Sequence, residues 1–302
     1  MYCKDNLLSG NLLPHREAAI RDRPLFRVIG ALLICLMIAP PPVGATDLRP
    51  EAARGFDQYV RLTEQRMRGE LVPGGVFLWV DGLPEPRRSE TYARLQHGEV
   101  VSDKLRTADP SGASTTPGAM IHHWVGIVFI PEATLAEVLA VVEDYDRHSE
   151  YYKPDVDRSK LVKHAGDNFK VFYRLRKKKI VTIILDTDYD VHRHSLGAAR
   201  AYSDSHSTRI AQVEHPGEAE ESELPPGKDE GFLWRLNSYW RYFDSGGGVY
   251  VQCEAISLTR DIPSGLNWLI APFIESVPKE SLEFTLQSTR SAVQRGGSRA
   301  GK

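Results

Sequence analysis

Residues 231–260 have the sequence GFLWRLNSYWRYFDSGGGVYVQCEAISLTR, in which side chains of different character alternate on either side of a glycine-rich turn. The alternation predicts two antiparallel strands, because successive side chains of a strand point to opposite faces. An amphipathic helix is predicted to follow, to about residue 294. A sheet closed by a C-terminal helix encloses space, and enclosed space favours a bound ligand. The stretch carries no obvious catalytic set, so it favours a binding or carrier module over an enzyme.

The composition is that of an ordinary globular protein. The chain has 302 residues, of which 41% are hydrophobic and 26% are charged, and its formal net charge is -2. A surface that binds nucleic acid needs a clear excess of basic residues, so this class of partner is not predicted. The sequence contains no glycine-rich phosphate loop and no nucleophile elbow, and we predict no cofactor.

Residues 1–45 have the layout of a secretory signal peptide. Arginines precede an apolar run over residues 28–39, and small residues up to Ala45 provide a cleavage site. The run is too short to span a bilayer comfortably, and an uncleaved membrane anchor is the alternative. We therefore predict an exported protein, periplasmic or extracellular. Cleavage would leave Cys253 as the only cysteine, and we expect it to be buried in a strand.

The next segment is predicted to form a helix–hairpin appendage and a linker. Apolar residues at helical spacing predict a helix over residues 50–69, and residues 75–80 predict a short strand that leads into a hairpin. Residues 107–118 are rich in Ser, Thr, Gly and Pro, which is typical of a loop. The predicted segments are a signal peptide or anchor (1–45), the appendage and linker (46–118), a ligand-binding domain (119–295) and a disordered tail (296–302).

The second domain is predicted to contain a strand, two short helical segments, a long antiparallel meander and a final helix. One hairpin can be given a register by centring its turn on Lys178. That register matches apolar residues with each other and one charge with its opposite. It pairs Leu175 with Val181, Tyr173 with Ile183, Val171 with Leu185, Phe172 with Ile184 and Lys170 with Asp186.

Two stretches in this order, WVGIVFIPEATLAEVLAVVEDYDRHSEYY (residues 124–152) and CEAISLTRDIPSGLNWLIAPFIESVPKESLEFTLQSTRSAV (residues 253–293), resemble the START-like superfamily, also called SRPBCC or helix-grip. That superfamily includes START lipid-transfer domains, pollen-allergen-like proteins and the polyketide cyclase/dehydrase group, and the export signal resembles a bacterial subgroup. The resemblance covers about residues 119–295 and transfers no functional residues. It implies an α+β fold, in which a curved antiparallel sheet wraps around a long C-terminal helix with a hydrophobic cavity between them.

Polar and aromatic residues on the last two strands are the candidates for orienting a ligand. Arg235 and Tyr239 share one face of the first strand, and Tyr250 and Glu254 share one face of the second. If this face lines the cavity, these four side chains would orient an otherwise apolar ligand. The alternative is an outer surface on which arginine and glutamate form cross-strand pairs.

Trp268 and Phe273 precede the inward stripe of the terminal helix, and we predict that they contact the ligand at a flexible cavity mouth. Ordinary core packing is the alternative for both. Glu254 together with Tyr239 or His206 is the candidate for acid–base chemistry. We favour a carrier or sensor of a hydrophobic or amphipathic, lipid-like molecule, with transient membrane contact. The alternatives are a cyclase- or hydrolase-like enzyme on the same fold and a non-catalytic protein-interaction module.

Two histidine pairs resemble fragments of metal sites. His122 and His123 are adjacent, and His192 and His194 lie on one face of a predicted strand. The second pair would ligate zinc only with a third group, and none stands out in the sequence. We therefore predict no metal site.

Overall fold

The computed structural model describes residues 46–178, 182–261 and 267–300, except for the side chains of residues 46, 267–275 and 297–300. The predicted signal segment, residues 1–45, lies outside the described residues. Within the described ranges, no helix combines the length and the apolar character that crossing a membrane requires.

The secondary structure is mostly antiparallel sheet, with helices before, within and after it. The strands are β1 (Thr46–Asp47), β2 (Val101–Lys104), β3 (Ala119–Pro131), β4 (Val156–Ala165), β5 (Asn168–Lys178), β6 (Thr182–Ser195), β7 (Arg200–Glu214), β8 (Ser222–Glu223), β9 (Lys228–Asp229), β10 (Arg235–Asp244) and β11 (Gly248–Arg260). The helices are α1 (Pro50–Glu70), α2 (Arg87–Gln96), α3 (Leu135–Val142), α4 (His148–Tyr151) and α5 (Asn267–Ala300).

The main sheet has nine strands, and every neighbouring pair is antiparallel. Its order is β2-β3-β11-β10-β7-β6-β5-β4, with β8 beside β7, while β1 and β9 form a separate two-stranded ribbon. The predicted hairpin of the last two strands is confirmed as β10 and β11, in which Tyr239 lies opposite Glu254. The predicted α+β class and the helix-grip arrangement are confirmed by this sheet and the long α5 that packs on it.

One face of the sheet packs against α5. Val128, Val251 and Tyr242 lie side by side on β3, β11 and β10, and they form a buried apolar cluster with Leu282 and Leu286 of α5. Helix α3 contributes to the same cluster, and its first turn is held by a capping box between Thr134 and Glu137. We call this surface the α5 face.

The opposite face packs against the N-terminal segment. Phe56 and Met67 of α1 form a buried cluster with Tyr239 and Ile256 of the sheet. A second cluster on this face joins α2 to β3 and β11. The predicted helix over residues 50–69 is confirmed as α1, and the sheet therefore lies between two helical layers. We call this surface the α1 face.

The predicted strand over residues 75–80 and its hairpin are wrong. Phe77, Leu78 and Val80 are buried in the cluster under α2, and the chain forms a 3-10 turn at Trp79–Gly82. The backbone N–H of Trp79 donates to Gln252 Oε1 at 2.6 Å, so the segment crosses the sheet face and does not pair with its edge. An apolar run of this length is compatible with burial on several sides without strand pairing.

The predicted register of the β5–β6 hairpin is wrong by four residues. Arg174 lies opposite Asp186 and Lys170 lies opposite Asp190, whereas the prediction placed Lys170 opposite Asp186. The observed register satisfies two pairs of opposite charges. Residues 179–181 lie outside the described residues. At the other end of the domain, α5 continues to Ala300, into the segment predicted to be a disordered tail.

Candidate functional site

A row of half-buried side chains crosses the middle of the α5 face. Trp124 lies opposite Ala255, Ala255 lies opposite Ser238, and Ser238 lies opposite Ser205, so four neighbouring strands contribute one residue each. All four residues are intermediate in exposure, although they lie on central strands of the sheet. The α5 face is therefore filled at the Val128 end and partly accessible along this row.

The indole N–H of Trp124 has an unusual environment. Its Nε1 atom is buried and has no hydrogen-bond partner among the described residues. A buried donor without a partner costs about 1–3 kcal/mol, so most such donors in folded proteins are paired with protein or water. This atom marks a place on the α5 face where an acceptor from outside the protein would be stabilising.

The α5 face also carries three tyrosines, of which Tyr152 and Tyr242 are buried and Tyr173 is half-buried. Tyr152 and Thr289 of α5 lie within hydrogen-bonding distance at 3.0 Å, and Tyr173 OH lies 2.9 Å from Nδ1 of His148. Burial raises the pKa of Tyr152 to about 12, and it also raises the pKa of Tyr173 and Tyr242 well above the usual value. These hydroxyls are neutral at physiological pH and provide uncharged hydrogen-bonding groups within an apolar layer.

His148 is neutral in the same layer. It is 5% exposed, and burial lowers its pKa to about 4, against a weaker opposing effect of nearby backbone carbonyls. Cys253, which was predicted to be buried in a strand, lies on β11 in the α5-face core. Burial raises the pKa of the Cys253 thiol well above its usual value, so this thiol is not activated as a nucleophile.

The four candidate ligand-orienting residues on β10 and β11 do not line the α5 face. Tyr239, Tyr250 and Glu254 lie on the α1 face, where side chains of the N-terminal segment contact them. Arg235 shares their strand face and donates from Nη1 to the Trp234 backbone oxygen at 2.9 Å. A cavity between the sheet and α5 is therefore not lined by these residues.

Each of the three covered residues has a partner in α1 or α2. Tyr239 OH donates to Glu64 Oε1 at 2.8 Å, and Gln96 Nε2 donates to Tyr250 OH at 2.6 Å. Glu254 is 2% exposed and accepts from Arg66 of α1. The side chains that were predicted to orient a ligand instead attach the N-terminal layer to the sheet.

Glu254 is the centre of a buried polar network. His123 Nε2 donates to Glu254 Oε1 at 2.6 Å, and the Tyr59 hydroxyl lies 2.9 Å from Nδ1 of the same imidazole. Burial by itself raises the pKa of Glu254, but the hydrogen bond from His123 and the charges of His123, Arg66 and Arg241 outweigh it, so the pKa is lowered. The Glu254 carboxylate is therefore ionised, paired and buried.

The predicted acid–base pairing of Glu254 with Tyr239 or His206 is not formed. Both Tyr239 and His206 hydrogen-bond to Glu64 of α1, at 2.8 Å each. A signal for this arrangement is present in the sequence, because polar Tyr59, Thr63 and Arg66 recur at helical spacing within the apolar stripe of α1. Polar residues on the inner face of a helix indicate that it packs on a partly polar surface.

Trp268 and Phe273, the predicted residues at the cavity mouth, fall in the first turns of α5, and their side chains lie outside the described residues. Two surface clefts, of about 440 Å³ and 280 Å³, lie elsewhere on the molecule. The larger is bordered by α2 and the smaller by the β4–β5 hairpin, and neither is lined by α5.

Comparisons with known proteins find similarity in solved structures. A Thermus thermophilus protein, TTHA0849, is 14% identical, with a TM-score of 0.41, over 57% of this chain and 97% of that one. A STAR-related lipid transfer protein from Xanthomonas axonopodis is 18% identical, with a TM-score of 0.40, over 64% and 98%. The Zhui aromatase/cyclase from Streptomyces sp. R1128 is 11% identical, with a TM-score of 0.38, over 58% and 95%.

Two of these structures are, by name, a STAR-related lipid transfer protein and an aromatase/cyclase, which are kinds of protein in the START-like superfamily that the sequence resembles. No protein-family model matches the sequence, and no curated protein matches it either.

Proposed function

We propose that this protein binds a hydrophobic or amphipathic small molecule on the α5 face, in the space between the sheet and α5. The observation that carries the proposal is the buried Nε1 atom of Trp124, which has no hydrogen-bond partner among the described residues. It lies in the half-buried row with Ser238 and Ser205, beside a large apolar cluster. A few polar groups in apolar surroundings are typical of small-molecule sites.

The character of the α5 face supports an uncharged ligand body with one polar end. Apolar contact with Leu236 and Trp240 would supply most of the affinity, at about 25 cal/mol per Å² buried before the costs of association. The indole N–H and the serine hydroxyls of β7 and β10 would meet a carbonyl or hydroxyl group of the ligand. The three tyrosines stay neutral and place no net charge on this surface.

A carrier or sensor is favoured over the cyclase- or hydrolase-like alternative. The predicted acid–base residue, Glu254, is buried under α1 and occupied by His123 and Arg66. Exposed Trp234 and Trp240 side chains would favour the protein-interaction alternative, but Trp234 is 2% exposed and Trp240 is half-buried. The half-buried row of the α5 face, which lies beside an apolar cluster of the described residues, suits a small apolar molecule.

Native mass spectrometry of the purified protein, followed by organic extraction, is the first test. We expect a stoichiometric apolar adduct, or saturable binding of dansyl-labelled undecanoic acid if the protein is isolated empty. Trp124→Phe should weaken the probe affinity by about tenfold, the value of one hydrogen bond. Ser238→Phe should abolish binding by filling the row.

Trp79→Phe is the matched control, because Trp79 is equally half-buried but lies in the N-terminal segment on the α1 face. Its probe affinity should equal that of the unchanged protein. A clean apo mass with no saturable probe binding would refute the proposal. Equal losses in Trp124→Phe and Trp79→Phe would show that the α5 face is not the site.

Export is a second part of the proposal and has its own test. The arginines and the apolar run of residues 1–45 support a cleaved signal peptide. The N-terminal sequence of the protein recovered from an extracytoplasmic fraction should begin directly after Ala45. Recovery of the intact N-terminus in a membrane fraction would favour the anchor instead.

A further inference from the structure

Three potential metal ligands converge on the α1 face, away from the proposed ligand site. Asp204 of β7 lies directly opposite His192 of β6 in the sheet register. His206 lies two residues beyond Asp204, and so on the same face of the same strand. The register alone therefore brings two imidazoles and one carboxylate together.

Their potential ligand atoms are close enough for one ion. His192 Nδ1 lies 2.9 Å from Asp204 Oδ2, and His206 Nδ1 lies 3.4 Å from the same oxygen. The three residues offer ligand atoms that all lie within 4.8 Å of one another. Tetrahedral zinc, with bonds of about 2.0–2.2 Å to nitrogen and oxygen, places its ligand atoms about 3.3 Å apart, so only small side-chain rotations are needed.

A second carboxylate, that of Glu64, orients one of the potential ligands without being a ligand itself. His206 Nε2 donates to Glu64 Oε1 of α1 at 2.8 Å, and Tyr239 OH donates to the same oxygen at 2.8 Å. A ligating histidine in metal proteins commonly donates its other N–H to a carboxylate, which fixes the ring orientation. His194 Nε2 donates to the second Asp204 oxygen, Oδ1, at 3.0 Å, and this orients the carboxylate.

We propose that His192, Asp204 and His206 bind one divalent transition-metal ion of the zinc class. Two imidazole nitrogens and one carboxylate oxygen suit zinc and its neighbours, whereas calcium and magnesium take oxygen ligands. Three protein ligands leave a coordination position for water or another small molecule. The side chains are partly exposed, at 42% for His192, 21% for Asp204 and 33% for His206, so an ion can enter from solvent.

The test is calorimetric titration of chelator-treated full-length protein with Zn²⁺ alone, together with the visible absorption of bound Co²⁺. We expect one ion per chain and a Co²⁺ spectrum typical of nitrogen and oxygen ligands. His192→Ala and Asp204→Ala should each weaken binding at least tenfold. His164→Ala is the matched control, because His164 is exposed on β4 and lies outside the cluster; its affinity should be unchanged.

Glu64→Gln examines the supporting carboxylate, since loss of such an outer partner typically weakens metal affinity by about 10–100-fold. Thermal unfolding with and without Zn²⁺ separates ligand loss from misfolding, because an ion that binds the folded state raises Tm. Each variant is compared with its own metal-free form, and the Zn²⁺-dependent rise in Tm should disappear in His192→Ala and Asp204→Ala, shrink in Glu64→Gln and be unchanged in His164→Ala. No stoichiometric binding, or equal affinity in these two variants and His164→Ala, would overturn the proposal.

Discussion

In a typical antiparallel sheet, apolar side chains are buried on one face and polar side chains are solvated on the other. On β10 this relation is reversed. Polar Asn237 and Arg241 are buried on the α1 face, whereas Leu236 and Trp240 on the α5 face are only half-buried. The difference shows that side-chain polarity along a strand does not decide which face of the sheet is covered. The helices that pack on each face decide it.

The α1 face tolerates its polar residues because the N-terminal segment supplies their partners. Arg241 donates to the Phe77 backbone oxygen at 2.7 Å and to Glu70 of α1 at 2.5 Å. Buried charges are stable where they are paired and hydrogen-bonded. The α1 face is thus closed by complementary polar contacts, while the α5 face retains a row that these contacts do not fill.

Weakening one helical layer at a time tests most directly whether both layers stabilise the sheet. Phe56→Ala in α1 and Leu286→Ala in α5 each empty a fully buried position, and each should lower the free energy of unfolding by about 4 kcal/mol. Urea denaturation of both variants measures the effects, with Val72→Ala as a control because Val72 is 55% exposed. A loss below about 1 kcal/mol for Phe56→Ala alone would show that α1 is a detachable appendage.

The buried network of the α1 face provides the next test. Glu254→Ala leaves His123 buried without its carboxylate partner, so the free energy of unfolding should fall by about 3 kcal/mol. Glu99→Ala is the matched control, because Glu99 and its partner Arg94 are about half exposed and such pairs contribute little. Chemical denaturation of both variants compares them. Equal, small losses would mean that solvent reaches Glu254 and that the α1 face is open.

A pH titration distinguishes the α5 face. The pKa of His148 is lowered to about 4, from an ordinary value of about 6.5, because the neutral ring is buried. The unfolded chain therefore takes up the proton first, and stability falls as the pH drops through this window. The loss amounts to about 3 kcal/mol at pH 4 and is absent at neutral pH.

His148→Gln removes this contribution without introducing charge. The difference in unfolding free energy between the unchanged protein and the variant should therefore shift by about 3 kcal/mol between pH 7 and pH 4. A constant difference for His148→Gln would mean that the His148 ring is hydrated, and that the α5 face is open at this end as well.

The strands of the β10–β11 hairpin could be predicted from the sequence, but the helical layer that packs on each of its faces could not. Alternation correctly separated Tyr239 and Glu254 from Trp240 and Cys253. Alternation is symmetric with respect to the two faces, so it does not identify the side that meets α5. That information lies in α1, far earlier in the chain than Glu254, in the hydrogen bond from Arg66.

The register of the β5–β6 hairpin could not be predicted from the sequence for a related reason. Shifting β6 by four residues against β5 leaves every side chain on the same face, so the pattern of alternation is equally satisfied by both registers. A second register, between β6 and β7, brings Asp204 opposite His192, and it contains an irregularity between Asp188 and Tyr189. The sequence alone therefore did not show that Asp204 lies close enough to His192 to be a further metal ligand.

A pair of glycines provides the finest comparison of the two layers. A Cβ atom at Gly126 would lie 2.6 Å from Leu286 Cδ1 and 3.2 Å from Leu282, because α5 passes close to the sheet there. Gly69 in α1 has nothing within 4 Å of the corresponding position. Gly126→Ala should lower the free energy of unfolding by about 1–2 kcal/mol through overpacking. Gly69→Ala should raise it by about 0.5–1 kcal/mol, since alanine favours the helix.

Thermal and urea unfolding of the two variants measure both the expected loss and the expected gain in the free energy of unfolding. The same substitution adds one methyl group in each case, but the Gly126→Ala cost depends on the space under α5, whereas the Gly69→Ala gain depends on helix propensity. Because Leu286 can rotate, the Gly126→Ala cost also reports how tightly α5 is held against the sheet. If Gly126→Ala left the free energy of unfolding unchanged, α5 would move away from the sheet readily. A ligand could then bind between them without a large preformed cavity.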